Sequence, residues 1–185
     1  MEKTSMPRPG PRSFFETFLR VLITLSAGSA VVLSSISVCD GHWVSSPGQQ
    51  LLGVWGTCGA QSACSPDMSS ISRALVGVRT PLTLAVVLAI FGLELLMVSQ
   101  LCDDGPSPRR WCMGSVLLLV AFLLSAAGTL TYIFLLRGFA PAFTLTFWCQ
   151  FFATFLFFLN GVSGLYLHHL SRRRLEPLQP NHKGP

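Results

Sequence analysis

Four long stretches of this sequence carry almost no charge, and they constrain the fold more than any other feature. Val21 to Cys39 contains no Asp, Glu, Lys or Arg over 19 residues, and Trp111 to Leu136 contains none over 26. Thr80 to Cys102 is interrupted only by Glu94, and the apolar part of the fourth run extends from about Phe143 to Leu167. A helix of about 20 residues, rising about 1.5 Å per residue, crosses the ~30 Å hydrocarbon core of a bilayer. The pattern predicts four transmembrane helices.

Composition argues against a soluble enzyme as the default class. Charged residues make up 11% of the chain and hydrophobic residues 50%, whereas soluble domains carry about 25% charged residues. Membrane β-strands alternate apolar and polar residues, which these runs do not. We expect an all-α membrane protein in which residues 1–185 form a single four-helix domain. The expected spans are about 19–39, 80–101, 113–136 and 143–167.

The first run has one competing interpretation, a cleaved signal peptide preceded by basic residues. Signal-peptide apolar regions span about 7–15 residues, and this run has 19. No persuasive A-x-A cleavage site follows it. The length favours a retained helix.

The distribution of basic residues predicts the orientation. Ten of the 13 Lys and Arg residues lie in the N-terminal segment, the 103–110 turn and the tail at 171–185. Only three lie in the two loops on the other side, 40–79 and 137–141: Arg73, Arg79 and Arg137. Because cytoplasmic loops carry the excess of Lys and Arg, both termini are expected in the cytosol and the loop 40–79 outside. We expect a multi-pass protein of the plasma membrane, with no nucleic acid as partner.

Two cysteines lie well inside the expected outer loop. Cys58 and Cys64 would face an oxidising compartment, so a disulfide between them is expected. A zinc site is a poor alternative, because two cysteines with only His42 upstream do not supply four ligands. Residues 51–58 contain β-forming residues and favour a small extracellular β element. Cys102 and Cys112 flank the inner turn. Each is either a palmitoylation site or a small apolar residue at the membrane surface.

The loop carries a pattern that resembles the claudin-like superfamily. The matching residues are Trp43, Gly53, Trp55, Cys58 and Cys64. This superfamily includes claudins, peripheral myelin protein and calcium channel gamma subunits, and the loop alone does not choose among them. The resemblance implies a claudin-like four-transmembrane-helix bundle.

A wider set of segments is more specific and is similar to the voltage-dependent calcium channel gamma-like subunit family. The resemblance extends from about Arg12 to Leu167. The segments that carry it are Arg12–Glu16, Val31–Ser35, Cys39–Trp43, Phe91–Glu94, Met97–Cys102 and Phe158–Asn160.

The resemblance implies an accessory subunit that packs against the pore-forming subunit of a voltage-gated calcium channel. Such subunits modulate gating and favour the inactivated or closed state. The alternative is a claudin-like structural or adhesion protein at cell contacts. The tail ends in Lys183-Gly184-Pro185, without the hydrophobic terminal residue that PDZ domains capture, so no PDZ partner is expected. The loop also departs from claudins, with Val54 where Leu is usual and a shorter spacing between its cysteines.

No catalytic constellation is visible, and no cofactor or metal is expected. No serine stands in a Gly-x-Ser-x-Gly motif. His168 and His169 are adjacent, so on a helix they diverge by about 100° and make an improbable metal pair. We expect a protein that is not an enzyme.

Small residues predict how two of the helices pack, because transmembrane helices associate through small side chains. They recur every four residues in the first span and again in the third. The two stripes are Ser26, Ala30 and Ser34, and Ala121, Ser125 and Thr129. Both are expected to face the bundle, while the Phe-rich faces of the fourth helix meet lipid or a partner.

Glu94 is the only acidic residue inside an apolar run, and a charge there is costly. Two interpretations are open. In the first, Glu94 faces the bundle and is held by Asn160, by Arg20 or by both, as an internal clasp. In the second, it meets a polar or cationic group on transmembrane helices of the channel.

Overall fold

Four long helices make up most of the described structure. The computed structural model describes residues 14–40, 43–46, 49–52, 66–101, 107–135, 137 and 142–175. The helices are α1 (Phe14–Asp40), α2 (Pro66–Leu101), α3 (Ser107–Leu135) and α4 (Leu145–Leu175). All four are long and apolar enough to cross a membrane. The expected four-helix all-α membrane bundle is confirmed.

All four helices begin at other residues than the expected spans, and α1 and α3 begin earlier, at Phe14 and Ser107. α2 begins at Pro66, so part of the expected outer loop 40–79 is helical. A search for apolar runs passes over this first part because it is rich in Ser and Arg, although proline suits a first helical turn. α4 begins at Leu145, because Ala142 and Phe143 form a strand instead.

The helices form a closed ring in which α1 packs against α2 and α4, and α3 packs against the same two helices. Neighbours run antiparallel, so α1 and α3 begin where α2 and α4 end. We call this the N-terminal end of the bundle. α2 and α3 approach each other closely at two glycines: a Cβ on Gly114 would lie 2.9 Å from the carbonyl oxygen of Gly92. Only residues without side chains permit this contact between backbones.

The buried apolar residues form two separate clusters along the bundle. The cluster toward the N-terminal end contains Trp111, Phe157 and Leu96 with small residues such as Ala27 and Ala89. The second cluster, at the opposite end, is made by Val38, Trp43, Leu75, Val78, Leu82, Tyr132 and Phe147. Buried Ser, Thr and Gln side chains lie between the two clusters.

A small antiparallel sheet lies at that opposite end. Its strands are β1 (Val44–Ser46), β2 (Gln49–Leu52) and β3 (Ala142–Phe143), in the order β2-β1-β3. Val44 is paired with Leu52 on one side and with Phe143 on the other. The sheet therefore ties the segment after α1 to the segment before α4. Its location outside the cell stays a prediction.

Candidate functional site

Glu94 lies on the outer surface of the bundle. The buried residues of α2 recur at Ala85, Ala89, Leu96 and Ser99, with Gly92 in the same row. Glu94 is two residues from Gly92, and two residues rotate a side chain by about 200° around a helix. Its side chain is exposed, so it points away from the other helices.

The expected clasp is wrong, because the structure brings neither Asn160 nor Arg20 to Glu94. Asn160 is 4% exposed and donates from Nδ2 to the hydroxyl of Ser26 at 3.1 Å and to the carbonyl of Leu156 at 2.8 Å. It therefore joins α4 to α1. Among the described residues, no hydrogen bond or ion pair reaches Glu94.

Arg20 is buried at the N-terminal end of the bundle and has other partners. Its Nη2 donates to Glu16 Oε1 at 2.8 Å, one turn earlier on α1. Its guanidinium carbon lies 4.8 Å from the centre of the Trp111 ring on α3. Ser171 of α4 donates to the same Glu16 oxygen at 2.7 Å. The cation is thus neutralised within the bundle, and three helices meet around it.

Two more contacts complete this end. The indole nitrogen of Trp111 donates to the carbonyl of Gly164 at 2.9 Å. Gln100 of α2 donates from Nε2 to the carbonyl of Arg20 at 3.1 Å and to the hydroxyl of Thr24. All four helices are therefore joined by polar contacts here, which leaves Glu94 apart from them.

A buried chain of hydrogen bonds crosses the middle of the bundle. We call Ser34, Ser125, Gln150 and Thr154 the polar layer. Ser34 donates to Gln150 Oε1 at 3.1 Å, and Gln150 Nε2 donates to Ser125 Oγ at 2.7 Å. Ser125 and Thr154 share a bond of 2.6 Å, and Thr154 donates to the carbonyl of Gln150 at 2.8 Å. The Thr154 proton is thereby committed, so Ser125 is the donor in their shared bond.

Sequence reasoning missed Gln150, although it carries the polar layer. It is fully buried in a Phe-rich run, and a polar residue inside a span normally faces other helices. That signal was available. Its partners on α1 and α3 had been identified as small-residue positions only.

The predicted small-residue stripes both face the bundle, which confirms that prediction. Ala30, Ser34, Ala121 and Ser125 are fully buried, and Ser26 receives the bond from Asn160. The Phe-rich face of α4 points outward: Phe151, Phe152, Phe155 and Phe158 are 40–57% exposed.

Trp43 is the one residue of the loop motif whose side chain the structure describes, and it is fully buried. Its indole nitrogen donates to the carbonyl of Ser37 at 3.0 Å. Its ring meets Tyr132 edge-on, with centroids 4.8 Å apart, and Phe147 at 5.9 Å. Its carbonyl accepts from the backbone of Thr144 at 3.1 Å. Trp43 thus anchors the sheet to α1, α3 and α4.

The other motif residues lie outside the described residues. These are Gly53, Trp55, Cys58 and Cys64, and Cys102 also lies outside the described residues. The disulfide therefore stays a prediction. Across the described ranges, no group of three or more His, Cys, Asp or Glu side chains could hold a metal ion.

Comparison with known proteins gives matches over most of the chain. A curated human protein, the voltage-dependent calcium channel gamma-like subunit, is 49% identical over 169 residues, which cover 86% of this chain and 88% of that protein. The profile of the voltage-dependent calcium channel gamma-like subunit protein family matches residues 2–172. This is a family of channel subunits and not of enzymes. Since the match extends over nearly the whole bundle, the chain belongs to the voltage-dependent calcium channel gamma-like subunit family.

Proposed function

We propose that this protein is an accessory subunit that packs against the pore-forming subunit of a voltage-gated calcium channel and modulates its gating. The family match across residues 2–172 is the observation that carries the proposal. The direction we propose is stabilisation of the inactivated or closed state, in the plasma membrane.

The internal organisation of the bundle supports a subunit that acts through its outer surface. Arg20, Asn160 and Gln150 make polar contacts inside the bundle. The outward-facing residues of the helices are mainly large and apolar, as on the Phe-rich face of α4. Such a surface suits contact with lipid and with other transmembrane helices.

For the orientation, we propose that the N-terminal end of the bundle faces the cytosol and the sheet lies outside. Ten of the 13 Lys and Arg residues belong to segments at or beyond the N-terminal end. Cytoplasmic segments carry this excess of basic residues. Tags at residue 1 and between residues 47 and 48, probed with antibody before and after permeabilisation, test the orientation.

Electrophysiology tests the function. The pore-forming subunit of a voltage-gated calcium channel is expressed alone and with this protein at matched surface density. We expect the midpoint of steady-state inactivation to move to more negative voltages when this protein is present. Purification of the complex from mild detergent is the parallel measurement. Unchanged gating together with absence from the purified channel would refute the proposal, and enrichment at cell contacts would point to an adhesion protein.

A further inference from the structure

The outward face of α2 contains a regular stripe with Glu94 inside it. Positions spaced alternately by three and four residues lie on one face of a helix. We call the following residues the α2 stripe: Leu84, Val87, Phe91, Glu94, Val98 and Leu101. All six are exposed. The same spacing is the one through which two helices pack side by side.

Glu94 lies just inside the apolar part of the bundle, toward its N-terminal end. It is seven residues from the end of α2, about 10 Å by helical rise. Because Gly92 faces Gly114 in the antiparallel pair, Glu94 is level with Cys112, five residues into α3. Glu94 is therefore two residues, about 3 Å by helical rise, deeper than Arg110, and a carboxylate just inside an apolar span is stabilised by a basic partner. Arg109 and Arg110 lie in the first turn of α3, but neither forms an ion pair with Glu94 in the described structure.

The charge of Glu94 separates two candidate occupants of the stripe. Two copies of this chain meeting through the same face would form a symmetric contact in which each residue approaches its own counterpart. Glu94 would then face Glu94, and like charges repel. A helix that carries Arg or Lys at this depth has the complementary charge. The other exposed faces, such as that of Phe155 on α4, make no such demand, because lipid covers an aromatic side chain without cost.

We propose that the α2 stripe is the surface on which the pore-forming subunit docks, with Glu94 paired to a basic side chain on one of its transmembrane helices. This inference rests on the proposed function, and it assigns the contact to one face of the bundle. The apolar residues of the stripe supply packing, and Glu94 fixes the depth at which the partner helix meets it.

Substitution of Glu94 tests the charge. Glu94→Leu removes the carboxylate, and Glu94→Gln keeps its size and hydrogen-bonding capacity. Phe155→Leu, at an exposed position of α4, is the matched control. We expect all three variants to fold and to reach the surface as the parent does, because Glu94 is exposed and forms no hydrogen bond or ion pair with the described residues. Recovery of Glu94→Leu with the purified channel should fall about tenfold, the loss of roughly one interhelical polar contact in a bilayer. Recovery of Glu94→Gln should lie between that of Glu94→Leu and that of the parent, and recovery of Phe155→Leu should equal that of the parent.

Crosslinking identifies the occupant independently of affinity. A photoreactive amino acid replaces Phe91, one turn from Glu94 in the stripe, and replaces Phe155 in the control. We expect position 91 to crosslink to the pore-forming subunit and position 155 to crosslink to lipid.

Each other outcome contradicts the proposal in a distinguishable way. If the parent chain does not purify with the channel, the proposed function fails, and this inference fails with it. If the parent binds and Glu94→Leu binds equally well, or position 155 alone crosslinks to the channel, only the assigned surface is wrong. A crosslink from position 91 to a second copy of this chain would show that the α2 stripe binds another copy and not the channel, and would contradict the proposal. Failure of Glu94→Leu to fold would place the partner of Glu94 within the chain.

Discussion

Replacement of Gly114 by alanine tests the close approach of α2 and α3. The added Cβ would lie 2.9 Å from the carbonyl oxygen of Gly92 and 3.1 Å from side-chain carbons of Leu96. An ordinary carbon contact is about 3.5–4.0 Å. The nearest atom belongs to the backbone, so it cannot rotate away and the two helices must separate.

The magnitude follows from two opposing terms. Alanine is favoured over glycine within a helix by roughly 0.5–1 kcal/mol. Overpacking a tight contact costs about 1–3 kcal/mol. We expect Gly114→Ala to lower the free energy of unfolding by about 1–2 kcal/mol, which corresponds to a Tm lower by about 2–8 °C.

Gly77 provides the control on the same bundle. It is an exposed glycine of α2, and a Cβ there meets nothing within 4 Å. Gly77→Ala should therefore leave the Tm unchanged or raise it slightly. Thermal unfolding of both variants in the same detergent, followed by the loss of the monodisperse peak in size-exclusion chromatography, measures the difference. Equal Tm values for the two variants would refute the inferred backbone contact.

Three further predictions concern the polar layer and the outer loop. Gln150→Leu should lower the free energy of unfolding of the bundle by about 1–2 kcal/mol. A double-mutant cycle with Ser34→Ala, measured by unfolding in detergent, should show coupling between the two residues. Strict additivity of the two effects would contradict the bond between them. Trp43→Phe loses the indole donor and part of the packing beneath the sheet, so the Tm should fall; an unchanged Tm would show that this anchor contributes nothing. A disulfide between Cys58 and Cys64 should appear as one linked peptide in mass spectrometry of unreduced surface protein, and two free thiols would exclude it.

The fold could be predicted from the sequence because transmembrane helices depend on one dominant property. Nineteen uncharged residues from Val21 to Cys39 leave little alternative to a spanning helix. The small-residue stripe through Ala30 likewise indicated the buried face of α1, because only small side chains allow helices to approach closely. Both predictions use information that lies within a single segment.

The outward direction of the Glu94 side chain can be inferred from the small residues of α2. Ala85, Ala89 and Gly92 form on α2 the same kind of small-residue row that was recognised on α1 and α3. That row marks the buried face and places Glu94 opposite to it. The rule that a buried charge needs a partner within the bundle applies only to the buried face of a helix, and Glu94 lies on the exposed face.

The partners of buried polar groups could not be predicted in the same way. Arg20 finds Glu16 one turn away on its own helix, while the bond between Gln150 and Ser34 joins residues far apart in the chain. Which of several hydroxyl groups meets the Gln150 amide depends on the rotation and height of three helices. Those quantities follow from the packing of all side chains together.

The polar layer also limits how this protein can move. Sliding one helix past its neighbour by one turn would displace Gln150 by about 5.4 Å. It would break the bonds to Ser34 and Ser125 together, in surroundings that offer no water in exchange. The polar layer therefore opposes sliding of α1, α3 and α4 along their axes relative to one another. We expect a displacement of the sheet to reach the opposite end of the bundle as a tilt or rotation of all four helices together. Such a motion would alter the contact with a neighbouring membrane protein along its full length.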